Sequence, residues 1–133
     1  MNFLIDTNIC IYIMNNNPPE VIQKFKSMDL GQVGISSITV SELHYGVSKS
    51  RHLKQNMKRL EEFLIPFEIF PYDENASRYY GKIRYQLEKQ GNVIGPLDLL
   101  IAAHALSKDL ILITNNEKEF TRIKSLKIEN WVN

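Results

Sequence analysis

Short apolar runs alternate with longer amphipathic stretches along the chain, and this alternation predicts strands that alternate with helices. The predicted strands are compact apolar runs bounded by polar residues, at 2–5, 33–39, 67–70 and 110–114, with a candidate fifth at 127–131. Helical periodicity is predicted at 8–14, from Pro18 and Pro19 onward, at 39–64 with a break near 48–50, at 73–91 and at 96–109. We therefore predict one α/β domain over residues 1–133, with a parallel sheet covered by helices on both faces.

Composition narrows the class of protein. The 133 residues are 44% hydrophobic and 23% charged with a formal net charge of +1, which excludes a largely disordered chain and a globally polyanion-binding one. The single Cys10 has no partner for an intramolecular disulfide and favours a reducing compartment. No signal peptide is evident, and no apolar run approaches the roughly 20 residues of a membrane span, so we expect a cytoplasmic protein without membrane contact.

Four carboxylates lie next to predicted strand ends. Asp6 follows the first strand, Glu42 lies early in the helix after the second, and Asp98 lies in the first turn of the helix before the fourth. Glu119 lies just beyond the fourth strand. Because parallel strands present their carboxyl ends at one edge of a sheet, where ligands bind, these side chains are candidates to meet there.

Each carboxylate also has a structural interpretation. Asp6 suits a helix N-cap, and the sequence TVSE at 39–42 fits a capping box in which Glu42 bonds a backbone amide. Asp98 would favour the positive end of a helix dipole, and Glu119 would be a solvated surface charge.

The apolar neighbours of the first three acids favour a chemical role. Buried like charges need compensation, and a divalent cation with oxygen ligands, Mg²⁺ or Mn²⁺, supplies it. Such a site suits phosphodiester hydrolysis, because the metal activates water and stabilises charge on the phosphate.

Four segments resemble PIN-domain ribonucleases and, more narrowly, the VapC toxins of bacterial toxin–antitoxin pairs. They occur in the order and spacing of that family, at FLIDTNICIYIM (3–14), ITVSELHYGV (38–47), IGPLDLLIAAHAL (94–106) and LITNNEKEF (112–120). The ending IENW (128–131) is also similar to that subgroup, so the resemblance spans nearly the whole chain.

The resemblance implies a three-layer sandwich with a five-stranded parallel sheet and an acidic cluster that binds Mg²⁺ or Mn²⁺. It implies RNA cleavage that inhibits translation, with tRNA as the expected substrate and the anticodon loop of initiator tRNA as a candidate site. It also implies a homodimer, neutralisation by a VapB-type antitoxin, and contact with operator DNA only through that antitoxin.

By motif, Asp6, Glu42 and Asp98 match the first three acidic positions of the family. The resemblance implies that Asp6 and Asp98 hold the metal and that Glu42 completes its shell or orients the attacking water. Many relatives have an aspartate at the fourth position, where this chain has Asn115 and Asn116. Glu119 is the nearest acid, and whether it binds metal directly is open.

Polar neighbours of these acids are expected either to hydrogen-bond the carboxylates or to form caps and turns; they are Thr7, Asn8, Thr114 and Asn116. The segment 49–59 is basic and contains no acidic residue, which suits either binding of RNA phosphates or a solvated helix face. Its basic residues are Lys49, Arg51, Lys54, Lys58 and Arg59. In the family this region also lies near the antitoxin and dimer surfaces. The three histidines show no metal-ligand spacing and are expected to be structural: His44, His52 and His104.

Three other functions remain to be weighed. A phosphatase of the haloacid dehalogenase type needs a second aspartate two residues after the first, where this chain has Asn8. A nucleotide-binding module needs a glycine-rich phosphate loop, and neither GxGxxG nor GxxxxGK occurs. A catalytically inactive PIN-like module that binds RNA or protein would retain the fold without the geometry needed for cleavage.

Overall fold

The structure, a computed structural model, describes residues 2–132. Five strands are present, namely β1 Phe3–Ile5, β2 Val33–Ser36, β3 Glu68–Phe70, β4 Ile111–Ile113 and β5 Ile128–Glu129. The α-helices of the described residues are α1 Thr7–Met14, α2 Pro19–Lys26, α3 Ser37–Ser48, α4 Leu53–Leu64, α5 Glu74–Lys89, α6 Pro96–Ser107 and α7 Glu117–Phe120. A short 3₁₀ helix, Leu30–Gln32, precedes β2.

The strands form one sheet in the order β3-β2-β1-β4-β5, and every neighbouring pair is parallel. Leu4 of β1 pairs with Gly34 of β2 on one side and with Leu112 of β4 on the other. The central strand therefore ends between the ends of its two neighbours. This placement brings the residue after β1 close to the segments that follow β2 and β4.

Alternate residues of the central strands face two separate cores, as the two-residue period of a strand requires. Leu4 and Leu112 belong to the core that α5 and α6 cover. Ile5 and Ile113 belong to the core on the opposite face, with residues of α1, α3 and α4. The expected sheet with helices on both faces is confirmed. No helix within residues 2–132 combines the length and the apolar character needed to cross a membrane.

Most predicted elements occur, with shorter strands than expected. The predicted break in 39–64 is confirmed, since α3 ends at Ser48 and α4 begins at Leu53. The prediction of a strand through residue 39 was wrong, because β2 ends at Ser36 and α3 begins there. The hydroxyl of Ser36 accepts a hydrogen bond from the backbone N–H of Ile38 at 3.1 Å, and this N-cap outweighs the β-branched composition of the segment.

Gly34 lies against the ring of Phe70, and this contact limits the residue type in β2. A Cβ atom at position 34 would lie 2.3 Å from Cε2 of Phe70, a buried side chain. We expect Gly34→Ala to lower the free energy of unfolding by about 1–3 kcal/mol, because the ring must move within a packed core. Urea denaturation measures this change.

Gly81 in α5 is the matched control, since a Cβ there would meet no atom within 4 Å. Gly81→Ala should raise the free energy of unfolding by about 0.5–1 kcal/mol, because alanine favours a helix interior. Equal effects of the two substitutions would contradict the role of the Phe70 contact.

Candidate active site

Three of the four candidate acids surround one small cavity at the carboxyl edge of the sheet. Asp6, Glu42 and Asp98 line a cavity of about 140 Å³ together with four other side chains, those of Thr7, Asn8, Ile101 and Asn116. The elements that present the three acids are β1, α3 and α6, so the convergence depends on the packing of helices as well as on the sheet.

Asp6 follows the central strand and is only 5% exposed. Its carboxylate accepts a hydrogen bond from the backbone N–H of Ile9 at 3.0 Å, so it caps α1 as well as facing the cavity. Burial raises the pKa of Asp6 to about 6. Hydrogen bonds from the hydroxyl of Thr114 and from the N–H groups of Ile9 and Asn8 act in the opposite direction and lower it. The surrounding donors therefore compensate this buried charge only in part.

Glu42 is held by the residue next to Asp6. The Thr7 hydroxyl donates to Oε1 of Glu42 at 2.6 Å, which joins the first turn of α1 to α3. The capping-box interpretation of Glu42 was wrong, since the N-cap of α3 is Ser36. One carboxylate oxygen of Glu42 is thus fixed by Thr7, and Oε2 is left for another ligand.

Asp98 lies in the first turn of α6 and is half-buried. The side-chain amide of Asn116 donates to its Oδ2 at 3.2 Å. Burial first, and then the hydrogen bond and negative charge of Glu119, raise the pKa of Asp98 to about 7. Burial and the neighbouring Glu119 thus disfavour the charged form of Asp98 while no cation is near it.

Glu119 lies in α7 beside Asp98 and does not line the cavity. Its hydrogen bond with Asp98, followed by those from Asn116 and the backbone N–H of Gly95, lowers the pKa of Glu119. Gly95 is the N-cap of α6 and has no side chain with which to cap it. The Glu119 carboxylate therefore accepts a hydrogen bond from the backbone N–H at the beginning of α6. It also contacts Asp98 from outside the cavity lining.

The polar neighbours contact different acids. Thr7 holds Glu42, Asn116 holds Asp98, and Thr114 is fully buried beside Asp6. Asn8 acts on Asp6 through its backbone, while its own side chain is exposed at the cavity.

Sequence reasoning missed one residue of the cavity lining and one contact between α1 and the segment after β4. Ile101 lines the cavity from α6, where it is one of many apolar residues. Tyr12 accepts a hydrogen bond from the Asn115 amide at 2.9 Å, which ties α1 to the segment after β4. No local pattern links two residues that are 103 positions apart.

The donor set of the cavity suits Mg²⁺ or Mn²⁺, which prefer oxygen ligands and retain water molecules. Within residues 2–132, no three His, Cys, Asp or Glu side chains are close enough to hold a metal ion as they stand. Burial raises the pKa values of both Asp6 and Asp98, and both carboxyl groups line the same cavity. A divalent cation that retains water molecules would compensate their negative charge there.

All five basic side chains of this segment are exposed, and one of them also makes a long-range hydrogen bond. Arg59 donates to the backbone carbonyl of Met14 at 3.0 Å and joins α4 to α1. The other four are Lys49, Arg51, Lys54 and Lys58. His44 and His52 are also exposed, and of the three histidines only His104 is buried.

An apolar groove borders the acidic cavity on the side of α3. It has a volume of about 170 Å³ and lies between α1, α3 and α4. Its apolar lining consists of Ile11, Met14, Leu43, Val47 and Leu60. Glu42 lines both the groove and the acidic cavity, so the two depressions adjoin.

The family model for the PIN domain matches residues 3–126. Ribonuclease VapC2 of Rickettsia felis is 43% identical over 132 residues, which are 98% of this chain and 98% of the relative. The tRNA(fMet)-specific endonuclease VapC of Shigella flexneri is 40% identical over 131 residues, again with 98% of each chain covered.

The comparison with solved structures agrees with the sequence comparison. The chain is similar to one in the crystal structure of VapBC2 from Rickettsia felis bound to a promoter DNA fragment, with a TM-score of 0.91 and 42% identity over 99% of this chain and 100% of that one. It is also similar to one in the DNA-bound VapBC structure from Salmonella typhimurium, with a TM-score of 0.93 and 39% identity over 99% of both chains.

The burial of Asp6 predicts a pH-dependent cost of folding. Its pKa of about 6 in the folded protein exceeds the ordinary 3.8, so the folded state binds the proton more tightly and stability falls as the pH rises from about 4 to about 6. With EDTA present near pH 8, Asp6→Asn should raise the free energy of unfolding by on the order of 2 kcal/mol. Urea denaturation near pH 4 should show little difference between the two proteins.

Asp6→Ala separates the charge from the cap. Asparagine retains an oxygen that accepts from Ile9, whereas alanine loses this hydrogen bond at the beginning of α1. The alanine variant should therefore gain less stability than the asparagine variant. An asparagine variant less stable than wild type near pH 8 would show that the buried charge is already compensated.

Proposed function

The chain belongs to the PIN-domain family, and we propose that it is a metal-dependent endoribonuclease that acts as the toxin of a toxin–antitoxin pair. The observation that carries this proposal is the convergence of Asp6, Glu42 and Asp98 on one cavity. It is supported by the ribonucleases from Rickettsia felis and Shigella flexneri, which match the chain over nearly its full length.

The roles of the acids follow from their contacts. PIN nucleases generally depend on a divalent metal, and here Asp6 and Asp98 would hold Mg²⁺ or Mn²⁺ in the cavity. Such a cation, when bound, lowers the pKa of water and stabilises negative charge on a phosphate. Thr7 fixes Oε1 of Glu42 at the cavity, and Glu42 would accept a proton from the attacking water through Oε2. Asn116 and Glu119 hold Asp98 in position.

RNA is the substrate class, and tRNA is the first candidate within it. A relative from Shigella flexneri carries the name tRNA(fMet)-specific endonuclease, and this chain is 40% identical to it. Basic side chains bind phosphates without regard to base sequence, and four exposed ones lie near the beginning of α4, at Lys49, Arg51, Lys54 and Lys58. A nuclease with this substrate would act in the cytoplasm and inhibit translation.

A VapB-type antitoxin is the proposed protein partner. Three of the similar solved structures are VapBC complexes from Rickettsia felis, Salmonella typhimurium and Haemophilus influenzae, and the first two of these are bound to DNA. The apolar groove between α1, α3 and α4 suits a segment of such a partner, and its border at Glu42 would let that segment cover the acidic cavity. Operator DNA would then be reached only through the antitoxin, and a homodimer is the expected state of the toxin.

Cleavage should require both metal and the cavity acids. We expect the purified chain to cut tRNA with Mg²⁺ or Mn²⁺, and expect EDTA, Asp6→Asn or Asp98→Asn to abolish cutting, since each removes a part of the metal site. End mapping of the fragments by sequencing identifies the cleaved bond.

Asp73→Asn is the matched control for these variants. Asp73 caps α5 by accepting from the N–H of Ala76 at 3.0 Å, as Asp6 caps α1, but it lies outside the cavity. This variant should cut as wild type does. Cutting that survives EDTA would overturn the metal mechanism. A folded wild type that binds tRNA without cutting it would favour an inactive binding module.

Glu119→Gln distinguishes support of Asp98 from direct binding of metal. Because Glu119 lies behind Asp98 and outside the cavity lining, we expect this variant to lose only about tenfold in cleavage rate near pH 8. Single-turnover kinetics beside Asp98→Asn give the comparison. Equal losses in the two variants would show that Glu119 binds the metal itself.

A further inference from the structure

A buried hydrogen bond between two polar side chains lies in the core behind the acidic cavity. Nδ1 of His104 is 2.7 Å from the hydroxyl oxygen of Ser36, and both residues have no solvent exposure. Within the described residues, Nε2 of His104 is buried without a hydrogen-bond partner. An apolar side chain would avoid this cost, so packing alone does not account for a histidine here.

The Ser36 hydroxyl has two hydrogen-bond contacts. Its oxygen accepts from the N–H of Ile38, and it can either donate its proton to Nδ1 of His104 or accept from an Nδ1–H with its second lone pair. Burial, followed by the positive charge of Lys108, lowers the pKa of His104, while Asp73 acts in the opposite direction. In either tautomer of the neutral ring, Nδ1 keeps its hydrogen bond with Ser36.

Aromatic rings fix the imidazole in this orientation. Phe70 and Tyr72 meet it edge-on, with ring centroids 6.4 Å and 5.5 Å from its own. The backbone N–H of Tyr72 donates to the hydroxyl of Ser37 at 3.0 Å, which ties the same segment to the beginning of α3. The imidazole thus has a single well-defined place between β2, β3 and α6.

The pair joins the two helices that carry Glu42 and Asp98. Ser36 caps α3 six residues before Glu42, and His104 lies on α6 six residues after Asp98. Ser36 meets His104 at one end of this helix pair, and Glu42 and Asp98 line one cavity at the other. Six residues of α-helix span about 9 Å. Because α3 and α6 pack against each other, a shift of one helix against the other at the pair changes the separation of Glu42 and Asp98.

We propose that the Ser36–His104 hydrogen bond is a positioning contact that sets the separation of Glu42 and Asp98. This inference rests on the proposed nuclease function, because it assigns the pair a role in holding the metal site. His104 touches neither substrate nor metal and acts only through α6. Ser36 acts in the same way through α3.

Replacement of His104 tests the contact with two readouts, Mn²⁺ affinity by titration calorimetry and single-turnover cleavage of tRNA. His104→Leu should lower the cleavage rate and the Mn²⁺ affinity by roughly 10- to 100-fold, as loss of a supporting partner of a metal ligand does. His104→Asn, whose amide can still accept from Ser36, should restore most of both.

Leu106→Ala is the matched control, since it alters the same last turn of α6 and leaves the Ser36–His104 pair intact. The cleavage rate and Mn²⁺ affinity of Leu106→Ala should stay near those of wild type, even if this variant loses as much thermal stability as His104→Leu or more. If wild type is active and His104→Leu behaves as Leu106→Ala does, the inference is wrong. If wild type neither binds Mn²⁺ nor cuts any RNA, the proposed function fails, and the inference fails with it.

Ser36→Ala provides a second way of breaking the contact, and it serves if His104→Leu does not fold. Ser36→Ala alone should lower the cleavage rate and the Mn²⁺ affinity as His104→Leu does. The double variant of Ser36→Ala and His104→Leu should be no slower than the slower single variant, because both changes remove one hydrogen bond. Additive losses in cleavage rate would overturn the inference.

Discussion

The central position of β1 forces the carboxyl group of Asp6 into a place from which water is largely excluded. Its backbone N–H pairs with the carbonyl of Ile113, so the strand pairing continues up to the acid itself. A charge in such a place must be compensated or protonated. The pKa of about 6 shows that the donors around Asp6 do not achieve full compensation. The other acids of the site lie around this partly compensated carboxylate.

The partners of the cavity acids orient them without neutralising them. Thr7 and Asn116 are neutral donors, so the negative charge of Glu42 and Asp98 remains available. Among residues 2–132, the ion pairs involve other acids, namely Glu129, Glu74, Glu88 and Asp109. A lysine or arginine at the cavity would stabilise the metal-free fold and compete with a cation. The metal-free protein is therefore less stable than it would be with a lysine or arginine at the cavity, and such a loss of stability is expected of a functional site.

How much the sequence predicts depends on the range of the interaction that decides each feature. Asp6 was predictable because strand, acid and helix follow one another directly in the chain. The end of β2 was mispredicted because one hydrogen bond from Ile38 to Ser36 overrode a β-branched composition. The basic segment was predicted to suit either RNA phosphates or a solvated helix face, and nothing in its sequence indicated that Arg59 contacts the carbonyl of Met14, 45 residues away.

The contacts that build the site are also long-range. Thr7 and Glu42 are 35 positions apart, and Ser36 and His104 are 68 apart. Both depend on how helices pack across the sheet, which a single sequence does not encode as a local pattern. The positions at strand ends and the resemblance to PIN domains both indicated the three acids, but the side chains that hold them required the structure.

Glu42 connects the chemistry of the cavity to the surface beside it. It lines the acidic cavity with Asp98 and also borders the apolar groove between α1, α3 and α4. A segment seated in that groove would contact the same carboxylate that Thr7 holds toward the cavity. A cationic side chain on such a segment would reach an acidic cavity whose charge is only partly compensated. Inhibition at this place would need no change of fold, because the charge that attracts a metal would also attract the inhibitor.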